Sequence, residues 1–265
     1  MVKKILAKAY ISIMLLFMYA PLIVLAIFSF TNTQNIGTWN GFSFELYHLM
    51  FKNKDIMESL YNTLMVAIVS SVVSTILGTL GAIGIFYSGR KVKKSMEAIS
   101  QIPVLNAEIV TALSLTILFV FVGVEFNFIT LLIGHVVLTI PFVVLSVTPK
   151  LKQMDPSIYE AALDLGATPN TALWKVIVPE IIPGVFSGFI LAITLSLDDY
   201  IITAFTRNNS FQTLSTYVYG ATARKGALPP ALRALSTIIF VVILIVLIIV
   251  NARTKNNNGI RKEQI

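Results

Sequence analysis

DPSIYEAALDLGATPNTALWKVIVPEIIP, residues 155–183, is the one long polar interruption between two membrane-length apolar runs in the second half of the chain. Its punctuation predicts two short helices. Asp155 is a helix-capping residue, and Pro156 follows at the first helical position, where its missing N–H costs nothing. Gly166 suits a left-handed exit from that helix. Thr168 and Pro169 repeat the cap-plus-proline pattern, and Pro179 is expected to stop the second helix. A helical hairpin set between two apolar runs belongs outside the bilayer, joining one span to the next.

The composition fixes the surroundings of that hairpin. The 265 residues are 56% hydrophobic and 12% charged, with a mean hydropathy of +0.82. A soluble domain carries about 25% charged residues, so this composition describes a polytopic membrane protein. Cysteine is absent, which removes disulfide frameworks and thiolate metal sites. Six stretches are long enough to cross a bilayer that needs about 20 helical residues: 9–30, 62–88, 99–123, 127–149, 181–205 and 233–252. The fold class that follows is all-α, a polytopic membrane helical bundle of six transmembrane helices. One domain is expected over 1–252, with a disordered polar tail over 253–265. No internal repeat stands out.

The net charge of +7 invites a nucleic-acid reading, which the placement of the charges opposes. With both termini inside, the inner flanks carry Lys3, Lys4, Lys8, Arg90, Lys91, Lys93, Lys94, Lys150, Lys152, Lys175, Arg253, Lys255, Arg261 and Lys262. The outer flanks carry Lys52, Lys54, Arg207, Arg224, Lys225 and Arg233. That asymmetry satisfies the positive-inside rule and puts the 155–183 hairpin in the cytoplasm. The basic start resembles a signal peptide, but its apolar run is too long and lacks a small-residue cleavage site. An uncleaved signal anchor is expected.

Ionisable groups inside a membrane cost about 2.5–3.5 kcal/mol each on insertion scales. Glu108, beside Asn106, falls in the third span, and Asp198 and Asp199 fall together in the fifth, close to Ser196. No Lys or Arg shares those spans to neutralise them. One reading lines a pathway for a positively charged solute with these acids; carboxylates and aromatic faces best replace the water of an alkylammonium ion. Capping of a backbone group, pairing with a companion subunit and proton relay all remain open. On a continuous helix, adjacent residues point about 100° apart, so Asp198 and Asp199 would border a wide cavity together but not a narrow line. Small residues at Ser70, Ser74, Gly78 and Ala82 recur every fourth position of the second span and suit close helix packing. The aromatic segment around Trp39, Phe42, Phe44 and Tyr47 reads as an interfacial anchor, with a short amphipathic helix in SFELYHLMF.

Other chemistry is excluded by pattern. The stretch from Gly84 to Lys91 lacks the Gly-Lys-Ser/Thr ending of a phosphate loop, so no nucleotide site is expected here. His48 and His135 stand alone in the sequence and read as interfacial or buried hydrogen-bonding residues, not metal ligands. No nucleophile elbow or zinc-protease motif appears, and no enzyme activity is expected.

Within the hairpin, Glu160-Ala161-Ala162, Gly166 after three intervening residues, and Val176-Ile177-Val178-Pro179 after nine more have a recognisable spacing. It resembles the EAA loop of the membrane subunits of binding-protein-dependent ABC importers, with Val where Ile and Leu are common. The whole chain is further similar to the PotC-type permeases of spermidine/putrescine importers, through the LDD of the fifth span and the RALS of Arg233–Ser236. That resemblance implies a type I ABC importer permease fold in a bacterial inner membrane. It implies a second permease subunit, two ATPase subunits holding ATP and Mg, and an extracytoplasmic substrate-binding protein as partners. No cofactor is implied in this chain.

The resemblance also implies roles for residues. Glu160, Ala161, Ala162, Asp164, Gly166 and Pro179 would couple to the ATPase, with Ile158, Ala161, Ala162 and Leu165 as an apolar stripe. Glu108, Asp198, Asp199 and Ser196 would serve polyamine passage; the first acid is commonly Asp in that family, and Leu46 stands where Trp is common. An ABC permease for another small solute, or a stand-alone ion-coupled transporter, are the alternatives.

Overall fold

The computed structural model describes residues 2–33, 38–155, 157–225 and 229–245. Pro156 and the tail 253–265 lie outside them, as do residues 246–252 of the sixth expected span. All described elements are helical, and no strand occurs among them. Four helical stretches are long and apolar enough to span a membrane: Lys8–Phe30, Lys54–Tyr87, Phe128–Gln153 and Pro169–Asp198. A fifth candidate is a bent pair, and a sixth apolar helix, Pro230–Ile245, is shorter.

The chain divides into two compact units, Met1–Met57 with Val218–Ile265, and Glu58–Tyr217. In the first, α1 (Val2–Ile27) is apolar on all sides and leaves side chains such as Phe17 exposed, which fits a lipid-facing helix. Phe30 stacks on Phe42 at 5.4 Å and meets Phe44 edge-on. Tyr47 closes that cluster and shares a 2.8 Å hydroxyl contact with Ser29. The amphipathic segment forms α2 (Glu45–Lys52), which buries Leu46 and Met50, one turn apart. On α12 (Pro230–Ile245), Arg233 is buried and donates from Nη1 to the Thr33 carbonyl at 3.2 Å.

The second unit is organised by α3 (Lys54–Tyr87), α6 (Phe128–Gln153) and α9 (Val178–Asp198). α6 starts at a capping box, Asn127 receiving the amides of Ile129 and Thr130. Val143, Val144, Val147 and Leu151 of α6 pack with Ile177, Ile181 and Ala192 from the α9 side and Ala82, Ile83 and Ile85 of α3. The small-residue face of α3 meets α6 and α9 directly. Ser70 touches Ser196 at 3.1 Å, Ser74 touches Thr139 at 2.6 Å, and a Cβ on Gly78 would lie 2.8 Å from Val143.

Glycine also sets the spacing of α9 on α6. A Cβ on Gly184 would sit 2.7 Å from Lys150 Cγ and 3.0 Å from the Ser146 carbonyl oxygen, and one on Gly188 would sit 3.2 Å from Val143 Cα. Backbone atoms cannot step aside as a side-chain tip can. Gly184→Val is therefore expected to force the two helices apart and cost about 1–3 kcal/mol. A fall in the thermal unfolding midpoint of the purified chain in detergent checks this, and an unchanged midpoint would mean that the contact relaxes freely.

Three expectations about helix continuity need correction. The third expected span, 99–123, is two helices: α4 (Arg90–Leu105) and α5 (Glu108–Val122) meet at 105°. Asn106 and Ala107 are extended there, with ψ of 149° and 137°. The fifth expected span, 181–205, is also broken, since α9 ends at Asp198, Asp199 is extended with ψ 129°, and α10 (Ile201–Thr206) starts anew. Pro179, finally, does not stop the second hairpin helix. The chain runs from α8 (Pro169–Ala172) through a π-helical turn, Leu173–Ile177, into α9 without a break. The wider turn, with the Val178 amide bonded back to the Leu173 carbonyl, admits a proline that a regular α-helix would exclude.

Candidate functional site

The hairpin and the acids occupy opposite ends of the α6–α9 pair. At one end, α7 (Ser157–Asp164) begins where the Asp155 carboxylate accepts the Ser157 amide at 2.9 Å. That bond and a second from the Ser157 hydroxyl hold the exposed Asp155 carboxyl below its ordinary range. The cap is then present at neutral pH and is lost as pH falls through the lowered value. α7 ends in a Schellman motif: the Ala167 amide reaches the Ala162 carbonyl at 3.0 Å and the Gly166 amide reaches Leu163 at 2.9 Å. Gly166 has φ +84°, the left-handed conformation its position requires. Thr168 then caps α8, receiving the Thr171 amide at 3.3 Å.

This geometry displays the residues expected to couple to an ATPase. Glu160, Ala161 and Asp164 are exposed and Ala162 is half-buried, while Ile158 is 38% and Leu165 89% exposed. Tyr159 turns inward against Tyr87 at 5.4 Å and anchors the hairpin to the end of α3. An exposed apolar ridge flanked by carboxylates thus lies outside any membrane-length helix.

At the other end, two helix breaks place Glu108 at the start of α5 and Asp198 and Asp199 between α9 and α10. Glu108 lies in the first turn of α5 and Asp199 precedes α10, and these two helices pack together. Thr116 of α5 donates to the Phe205 carbonyl at 3.0 Å, and Ala112 is buried with Ile202 and Leu138. Helix N-termini favour negative charge, so the breaks supply part of what a continuous apolar span withholds from an acid.

The two adjacent aspartates have different surroundings. Asp199 is buried, its Oδ1 accepting the Ile202 amide at 3.0 Å and its Oδ2 accepting the Thr203 amide and hydroxyl, each at 2.8 Å. His135 Nε2 lies 3.6 Å from the same Oδ2. Asp198 is exposed, and its carboxylate makes no hydrogen bond or ion pair among the described residues. Ser196 faces the protein: it is buried between Ser70 and His135 Nδ1, the latter at 2.7 Å. His135, isolated in the sequence, is thus a neighbour of the acids in space, because α6 passes behind the α9–α10 break. Only its burial, not its partners, was readable from its apolar surroundings.

The described residues contain no cluster of His, Cys, Asp and Glu suited to a metal ion. The family model described as "binding-protein-dependent transport system inner membrane component" matches residues 74–254. The chain belongs to that family and is a multi-pass inner-membrane permease.

It is 31% identical over 98% of its length to the spermidine/putrescine transport system permease protein PotC of Escherichia coli (strain K12), covering 99% of that protein. It is 32% identical over 84% of its length to the putrescine transport system permease protein PotI of the same strain, covering 81% of that relative. Among solved structures, a bacterial ABC transporter that imports the acidic polysaccharide alginate superposes with a TM-score of 0.74, at 16% identity over 96% of this chain and 95% of that one. The last likeness speaks for the fold alone, that of an ABC importer permease.

Proposed function

We propose that this chain is the permease subunit through which an ATP-driven ABC importer moves a polyamine, spermidine or putrescine. The observation that carries the solute class is the placement of Glu108, Asp198 and Asp199 at two helix breaks whose helices α5 and α10 pack together, with no Lys or Arg in ion-pair contact with them among the described residues. An extended polycation gains most from carboxylates held in a site of low dielectric. The similarity to PotC and PotI over most of the chain supports the same solute.

In this reading Asp198 and Glu108 meet the solute, while Asp199 and Ser196 stand behind them and shape the break. A second permease completes the pathway. The positive-inside asymmetry puts both termini and the hairpin in the cytoplasm. There two ATPase subunits, which hold ATP and Mg, grip Ile158, Ala161 and Leu165, with Glu160 and Asp164 pairing to basic residues beside the cleft. An extracytoplasmic binding protein delivers the solute on the other side.

The α6–α9 pair ties these ends together as one rigid element. Glycine contacts at 184 and 188 keep the two helices close, so a push on α7 passes to the acids without loss between layers. Reconstitution with the partner subunits in proteoliposomes tests the assignment. Labelled spermidine or putrescine is expected to enter only with ATP inside the ATPase-facing compartment and binding protein outside. Uptake that persists without ATP would indicate a stand-alone ion-coupled transporter, and ATP-dependent uptake of a different solute would retain the permease and discard the polyamine.

A further inference from the structure

Behind the exposed Asp198 runs a buried chain of polar groups that ties four helices together. Ser70 of α3 meets Ser196 of α9 at 3.1 Å, and Ser196 meets His135 Nδ1 of α6 at 2.7 Å. His135 Nε2 meets Thr203 Oγ1 of α10 at 2.9 Å, and Thr203 Oγ1 donates to Asp199 Oδ2 at 2.8 Å. Every member is buried, His135 to 1% exposure.

Two proton positions follow by elimination. The Thr203 hydroxyl hydrogen is committed to the Asp199 carboxylate, so toward His135 that oxygen can only accept. Nε2 therefore carries a hydrogen. With the ring neutral, Nδ1 accepts from Ser196, whose oxygen lies within reach of the Ser70 hydroxyl; that hydroxyl also reaches the Ala67 carbonyl at 3.3 Å. The carboxylate at the end fixes the direction of the Thr203 and His135 Nε2 bonds.

We infer that His135 is a positioning residue for solute transfer: as an Nε2–H imidazole it fastens the α9–α10 break to α6, so that Asp198, at the end of α9, keeps its place relative to α6 and α10 when the hairpin moves. α6 and α9 are the two helices that bracket the hairpin, and His135 stands about 27 Å along α6 from its hairpin end. Its side chain, on α6, bonds to both α9 and α10 near the break. Without it, α9 and the Asp198 at its end can slide on α6 while α10, bonded to α6 through Thr130, stays behind. The inference rests on the permease reading above.

The test uses the full chain with its partner subunits in proteoliposomes and reads ATP hydrolysed per polyamine taken up, together with KM and Vmax for uptake. His135→Phe keeps the ring volume and removes both bonds. It is expected to raise ATP per solute by about three- to tenfold and to lower Vmax while KM stays within about twofold. His135→Gln returns a donor at the Nε2 position and is expected to recover most of the coupling. Should His135→Phe fail to assemble, Thr203→Val removes the same bridge with little change of shape and must raise the ratio likewise.

An unchanged ratio in the assembled His135→Phe or Thr203→Val complex overturns the inference, as does an equal loss in the Gln and Phe variants. Failure of the permease reading is distinct, because the wild-type complex would then show no ATP-dependent polyamine uptake. The chain has no cysteine. A spin label on Ala204→Cys, exposed on α10, therefore reports the order of that helix without any solute. It is expected to loosen in the His135→Phe background and to stay ordered with Gln; equal order in all three backgrounds also counts against the inference.

Discussion

Asp198→Asn is expected to lower polyamine uptake by roughly ten- to a hundredfold while leaving the amount of folded permease in the membrane unchanged. A charge-assisted hydrogen bond is worth about 1.5–3 kcal/mol, and that is what the solute loses. The protein loses nothing, since the Asp198 carboxylate is exposed and bonds to no described residue. Asp199→Asn separates the two neighbours. Its carboxylate receives the Ile202 amide and the Thr203 amide and hydroxyl, all donors. An amide group there can accept on one side only, and its NH2 faces donors on the other. The expected result is a stability loss of about 2–3 kcal/mol. Uptake rates normalised to folded protein, beside membrane levels of each variant, check the pair. Equal loss of protein in both variants would refute the division of labour between them.

Gly166→Val is expected to abolish uptake with the spans intact. At φ +84° a residue with a Cβ is strained by about 1–2 kcal/mol, and a β-branched one is the worst case. The Schellman closure of α7 cannot form without that conformation, so the last turn unwinds. Leu165, 89% exposed and at the tip of the apolar ridge, loses its direction with it. No Cβ clash adds to the strain, because open space surrounds Gly166. The defect is therefore confined to the hairpin. Co-purification with the ATPase subunits measures it: the variant is expected to insert normally and to come away without them, and Gly166→Asn, which tolerates the left-handed region, is expected to retain part of the association.

These two positions also mark what the residues alone made legible. The hairpin caps were readable because Asp155, Gly166 and Thr168 each act within a few residues of their own position. The small-residue face of α3 was readable for the same reason, through a fixed helical spacing. The breaks after Leu105 and Asp198 were not, because each lies in an apolar run whose hydropathy is indifferent to backbone direction. What decides them is tertiary. Asp199 can leave the helix because Thr203 and Ile202 wait to satisfy it, and His135 can be polar and buried because two other helices, α9 and α10, bring it partners. Pro179 misled for a related reason: a proline reads as a stop only if the turn before it is α-helical, and the turn at Leu173–Ile177 is not.

That π turn has a geometric consequence for the permease as a machine. It closes its hydrogen bonds over one residue more than an α-turn does. The turn therefore absorbs one extra residue while α9 beyond it keeps its phase; winding the same residues as α-helix would rotate all of α9 by about 100°. Asp198 would then face another quarter of the molecule, although nothing near it had changed. The turn is a phase setting on a shaft: it determines which way the far end points when the near end is driven.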